Sequence, residues 1–90
     1  MINEQHKKAI LDYLRTMPQT VSYRVDIGED EIHVTWQKAR VRASAVFDED
    51  NEYGYTYYQK GHFVPGQKAV KIGDAWPDDL LDYLHSNDRD

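Results

Sequence analysis

Histidines, carboxylates and tyrosines are the side chains of this sequence with chemistry to offer, and their spacing decides how much of it is usable. The four histidines, His6, His33, His62 and His85, are scattered, and none falls at the spacing of a base beside a nucleophile or of a metal-ligand pair. Asp78, Asp82 and His85 recur at i, i+4 and i+7, which on a helix would put three metal-type donors on one face. A solvated acidic helix face accounts for the same spacing without a metal. His33 would lie across a hairpin from Asp26, a surface contact worth under about 1 kcal/mol. The five glycines are dispersed, so no phosphate-cradling loop is present, and the absence of cysteine removes disulfides, thiolate zinc sites and cysteine nucleophiles together. It also fits a reducing cytosol. With no catalytic constellation, no cofactor motif and no metal motif, the chain is expected to be non-enzymatic.

Charge gives the more specific signal. The net charge is −5, and it is unevenly divided: residues 1–47 carry seven Lys and Arg against six Asp and Glu, whereas residues 48–90 carry four against ten. The segment DEDNEYGYTYY, 48–58, sets Asp48, Glu49, Asp50 and Glu52 ahead of Tyr53, Tyr55, Tyr57 and Tyr58. Tyrosines supply large contact area at low entropy cost, and carboxylates steer basic partners. Asp48, Glu49, Asp50, Glu52, Tyr53 and Tyr58, with Asp78, Asp79 and Asp82 further on, therefore form a candidate surface for a protein partner. If that partner is basic or itself binds nucleic acid, the carboxylates would occupy places meant for phosphates. The alternative is nucleic-acid binding by Arg24, Arg40, Arg42 and Lys60 with Tyr58 as a stacking ring. The overall charge of −5 opposes the approach of DNA or RNA.

Hydrophobic periodicity supplies the elements that would hold these residues. From Asn3 to Met17, His6, Ala9, Ile10, Tyr13, Leu14 and Met17 recur at helical spacing, with Asn3 as cap and Pro18 as stop. Val21, Tyr23, Val25 and Ile27 alternate with polar residues, and Ile32, Val34 and Trp36 repeat the pattern. A two-residue turn at Glu29 and Asp30, eased by the backbone freedom of Gly28, would pair Ile27 with Ile32, Val25 with Val34 and Tyr23 with Trp36. A third strand, Ala39 to Phe47, would follow a turn at Gln37 and Lys38 that sets Val34 against Val41. A hairpin about the acidic segment would then face Phe47 with Tyr53, Ala45 with Tyr55 and Ala43 with Tyr57, small residues against large ones. Pro65-Gly66 predicts a type II turn leading into a short edge strand over 69–72. Pro77, Asp78 and Asp79 open a last helix with the apolar stripe Leu80, Leu81, Tyr83 and Leu84, and the tail 86–90 is expected to fray.

The sum is one two-layer α+β domain over 1–90. It is a four-stranded antiparallel meander, five-stranded if the edge strand forms, with an N-terminal and a C-terminal helix on one face (αββββα). The other face would be open to water and would carry Ser22, Arg24, Asp26, His33, Thr35, Arg40, Arg42, Ser44, Thr56, Tyr58 and Lys60. Arg42 would sit between Tyr58 and His33, close enough for a guanidinium to stack on the phenol. A first strand left uncovered at the sheet edge is available for pairing between subunits. No stretch approaches the roughly 20 apolar residues of a membrane helix, and charges interrupt the N-terminal segment where a secretory signal is apolar. The chain is expected in the cytoplasm, without a membrane partner. In size, acidity and helix-sheet-helix plan it is similar to small inhibitor and immunity proteins of phage and bacterial conflict systems.

Overall fold

Asn3 stands in extended conformation and its side-chain oxygen accepts the His6 backbone N–H at 2.8 Å, which starts helix α1 (Glu4–Leu14). The computed structural model describes residues 2–17, 22–38, 41–66 and 69–87. Helix α1 stops short of the expected Met17. The Thr16 and Met17 N–H groups bond to the carbonyls three residues back, Tyr13 and Leu14, and the Thr16 hydroxyl also donates to the Tyr13 carbonyl at 2.6 Å. These tight bonds close the helix before Pro18, which lies outside the described residues. Ile10, Tyr13 and Leu14 are buried, while Ala9, expected in the same stripe, is exposed.

Strands β1 (Tyr23–Ile27), β2 (Ile32–Lys38), β3 (Val41–Phe47), β4 (Glu52–Gln59) and β5 (His62–Pro65) form an antiparallel meander in that order. A short β6 (Val70–Lys71) pairs with the start of β4, and helix α2 (Asp78–Asn87) follows. The first hairpin pairs Ile27 with Ile32, Val25 with Val34 and Tyr23 with Trp36, as expected. Gly28 acts otherwise than expected: its φ is not positive, and an added Cβ would come within 3.0 Å of the Glu31 carbonyl oxygen. The acidic hairpin also has its expected register, Phe47 against Tyr53, Ala45 against Tyr55 and Ala43 against Tyr57. The middle hairpin does not. It closes at Lys38 against Val41, so Val34 faces Ala45 and Arg42 faces Gln37 rather than His33. Sliding an antiparallel partner by an even number of residues leaves each side chain on its own face, which is why the inward and outward sets survive the correction.

Beyond Tyr58 the sequence signal was weakest, and the structure adds a hairpin there. Lys60 and Gly61 both have positive φ, 52° and 89°, the backbone of a tight two-residue turn. Lys60 is thus a turn residue rather than a strand residue of the open face. The chain passes through Pro65 and Gly66 without the positive φ that a type II turn requires at its glycine. It continues along β4 instead: β4 residues 57 and 53 face 64 and 70, so the β5–β6 side is two residues longer than the stretch of β4 it faces.

Both helices cover one face. The fully buried side chains include Ile10, Ile32, Val34, Trp36, Val41, Phe47, Tyr53, Leu80 and Leu84. Trp76, not singled out by the periodicity, stacks on Tyr13 with centroids 4.2 Å apart and donates its Nε1–H to Thr16 Oγ1 at 3.0 Å. The layer does not reach β1: Tyr23 is 41% exposed and Ile27 55%, although both point to the helix side. The expected end of the chain is only partly described. Ser86 and Asn87 belong to α2, and 88–90 lie outside the described residues.

Candidate functional site

Strand β4 presents Tyr53, Tyr55 and Tyr57 to the helix side, and their different neighbours give them different work. Tyr53 is 1% exposed. Its hydroxyl lies 2.7 Å from that of Tyr13, which in turn is 2.8 Å from the Asp74 carbonyl oxygen. A carbonyl can only accept, so the Tyr13 proton goes to Asp74 and Tyr53 donates to Tyr13. Burial raises the pKa of Tyr13, and burial together with the donated bond raises that of Tyr53 further. Tyr53 is therefore a core residue, unable to meet the partner expected for it.

Tyr55 and Tyr57 lie lower in the same row, opposite Ala45 and Ala43, and their rings extend to the first turn of α2. Tyr55 donates to Asp79 Oδ1 at 2.6 Å, and Tyr57 reaches Asp79 Oδ2 at 3.4 Å. Burial first, and the Asp79 carboxylate second, hold both phenols above their usual pKa. Around them opens a cleft of about 660 Å³ lined by these rings, by Ala69, Val70, Ala75 and Pro77, and by Asp74, Asp78 and Asp79. Among the described residues the ion pairs fall on α1, β1 and the β1–β2 hairpin, and none engages an acid of this cleft. It therefore combines apolar rings with carboxylates that α1 and the sheet leave without a cation.

The acidic tip, 48–52, sits at the other end of β4. Asp48 Oδ1 accepts the N–H groups of Asp50 and Glu52, Asn51 takes a left-handed φ of 64°, and the Asp48 carbonyl is 2.8 Å from His6 Nε2. Glu52 faces Lys71 across the β4–β6 pair. Asp48 thus has a structural role in the turn. Asp82, one turn beyond Asp78 on α2, is exposed. Asp74 lines the cleft, and its backbone carbonyl accepts the Tyr13 hydroxyl from the core.

Tyr58 belongs to the opposite face. There Arg42 lies over its ring at 5.7 Å from the centroid, as the register implied, and Phe63 meets it edge-on at 5.0 Å while remaining 62% exposed. Phe63 was missed because nothing local marks His62–Pro65 as a strand. Arg24 is far across the sheet on β1, in an exposed contact with Asp26 at 3.6 Å. Arg40 lies outside the described residues. His33 is opposite Asp26 in register but bonds to Glu31 Oε1 at 2.7 Å. The expected partner set therefore splits in four: the tip, the α2 end with its cleft, Tyr58 with its open-face neighbours, and Tyr53 in the core.

Tyr83 bridges strands β3 and β4. Its hydroxyl accepts the Arg42 N–H at 3.1 Å and donates to the Tyr58 carbonyl at 2.5 Å. It stands where a direct ladder bond between β3 and β4 would otherwise form, one step beyond the last regular pair, Ala43 with Tyr57.

Among the described residues no group of three or more His, Asp or Glu side chains is placed to hold a metal ion, and no helix is long and apolar enough to cross a membrane. Compared with protein-family models, with curated proteins and with solved structures, the chain matches none.

Proposed function

We propose that this chain is a non-enzymatic binding module, an adaptor or inhibitor acting in the cytoplasm, that receives a basic segment of another protein in the cleft between β4 and α2. The observation that supports it is the cleft itself. Asp74, Asp78 and Asp79 surround the rings of Tyr55 and Tyr57, and none of the three carboxylates is neutralised by a cation of the described chain. An arginine or lysine entering it meets carboxylates for its charge and phenol faces for its aliphatic stem. The acidic tip and Asp82 extend the attraction outward and raise the rate of encounter. Toward a nucleic-acid-binding partner, the same carboxylates stand in for phosphates.

Titration of an arginine-rich synthetic peptide, followed by amide chemical shifts, tests this. Shifts should centre on Tyr55, Tyr57 and the start of α2. Asp74→Asn with Asp78→Asn should weaken binding roughly tenfold. Asp79 is left intact because it holds both tyrosine hydroxyls. Binding that ignores the double variant sinks the proposal.

A second reading has its own support. Arg42, Tyr58 and Phe63 form an exposed guanidinium-aromatic group on the open face, a stacking platform of two rings rather than one. A single-stranded oligonucleotide that binds there, more tightly as salt falls, and loses affinity with Phe63→Ala would favour nucleic acid over a protein partner.

A further inference from the structure

The two borders of the sheet are built differently, and the difference points to a partner for one of them. At the far border Pro65 lacks an N–H, and the register of β4 with β5 and with β6 differs by two residues, so a visiting strand finds no uninterrupted row of donors and acceptors. Strand β1 has no such device. Its register with β2 is unbroken over Tyr23–Ile27, nothing among the described residues pairs with its outer side, and it leaves Tyr23 and Ile27 exposed beyond the helix layer.

The hydrogen-bond phase of β1 fixes what could pair with it. Gly28 N–H bonds to the Glu31 carbonyl at 2.9 Å in the same register as the hairpin. In an antiparallel pair the inward-bonding residues alternate, so Asp26 and Arg24 also direct their backbone groups to β2, while Tyr23, Val25 and Ile27 direct theirs outward. A second copy of β1 laid antiparallel across a two-fold axis at Val25 matches this phase. Val25 meets Val25 of the other copy, Tyr23 meets Ile27, and Arg24 meets Asp26, each contact occurring twice. Centring the axis on Arg24 or Asp26 instead would set like charges face to face. The sequence Tyr-Arg-Val-Asp-Ile thus pairs with itself over its full length, with opposite charges facing, in one register only. Its charges, which on an edge usually repel visitors, here select an identical one.

We infer that the chain forms a two-fold homodimer by β1–β1 pairing, giving one continuous sheet with all helices on the same face and with the exposed Tyr23 and Ile27 covering each other. The strand is five residues long, so the dimer is weak and concentration-dependent.

Sedimentation equilibrium of the intact chain tests this up to millimolar concentration, with circular dichroism confirming the fold of each variant. Arg24 and Asp26 are exposed, so reversing their charge leaves the core untouched. The wild type should approach twice 10.6 kDa. Arg24→Asp and Asp26→Arg should each raise the dissociation constant roughly tenfold to a hundredfold. Two rescues follow from the register: the double swap Arg24→Asp with Asp26→Arg, and an equimolar mixture of the two single variants, should both regain the dimer. A wild type that stays monomeric at millimolar concentration overturns the inference. So do single variants that dimerise like the wild type, or weakened single variants that neither rescue restores.

Discussion

Raising the pH should unfold this protein by a route its tyrosines dictate. Tyr53 and Tyr55 are 1% and 8% exposed, donate to Tyr13 and Asp79 respectively, and have folded-state pKa values pushed well above the usual 10, chiefly by burial. The folded state therefore keeps phenolic protons that the unfolded chain releases. For an acid whose folded pKa is raised, the stabilisation is complete below the unfolded value and is lost as the pH climbs past it. Each such tyrosine removes about 1.4 kcal/mol by pH 11 and about that much again per further pH unit. Together Tyr53 and Tyr55 thus remove about 3 kcal/mol by pH 11 and roughly twice that by pH 12, a large share of the 5–15 kcal/mol typical of small domains. Tyr13 and Tyr57, with smaller upward shifts, steepen the fall. Denaturant melts followed by circular dichroism at successive pH values measure the slope, and near-ultraviolet phenolate absorbance reports when the rings ionise. Tyr53→Phe should flatten the slope by about one proton and cost about 1 kcal/mol at neutral pH through the lost bond to Tyr13. Stability that stays level from neutral pH to pH 11, or a slope that Tyr53→Phe leaves unchanged, would refute the reasoning.

Two further perturbations address the frame of the site. Tyr83→Phe removes the hydroxyl between Arg42 N–H and the Tyr58 carbonyl, and should destabilise by about 1–3 kcal/mol with the largest amide shifts at Arg42 and Tyr58, read by denaturant melts and NMR. Gly66→Ala puts a Cβ 2.6 Å from the Tyr55 ring and should cost about 1–3 kcal/mol; the cost should shrink when Tyr55→Ala removes the ring, and an equal cost in both backgrounds would contradict the contact.

Local periodicity was enough for most of the frame. Alternation in β1 to β4 names the inward residues, and the pairing of Ala43 and Ala45 with Tyr57 and Tyr55 is legible because a large ring needs a small neighbour directly opposite. The middle turn was illegible, since Gln37, Lys38 and Ala39 carry no turn chemistry and several even registers bury the same residues. Strand β5 was hidden for a related reason: Phe63 and Val64 are too few to show a period, and the Lys60-Gly61 turn needs a left-handed lysine that sequence does not advertise.

The candidate site divides along the same line. Its ingredients, acids beside tyrosines and a separate arginine-tyrosine pair, are properties of composition and of strand parity, both one-dimensional, and so could be read in advance. Which tyrosine is core and which lines a cleft was decided only in three dimensions. Tyr53 vanishes beneath α1 and Trp76, Tyr55 and Tyr57 are caught by Asp79, and Tyr58 turns to the other face beside Phe63. A residue's face follows from its own strand, whereas its cover depends on where distant helices come to rest.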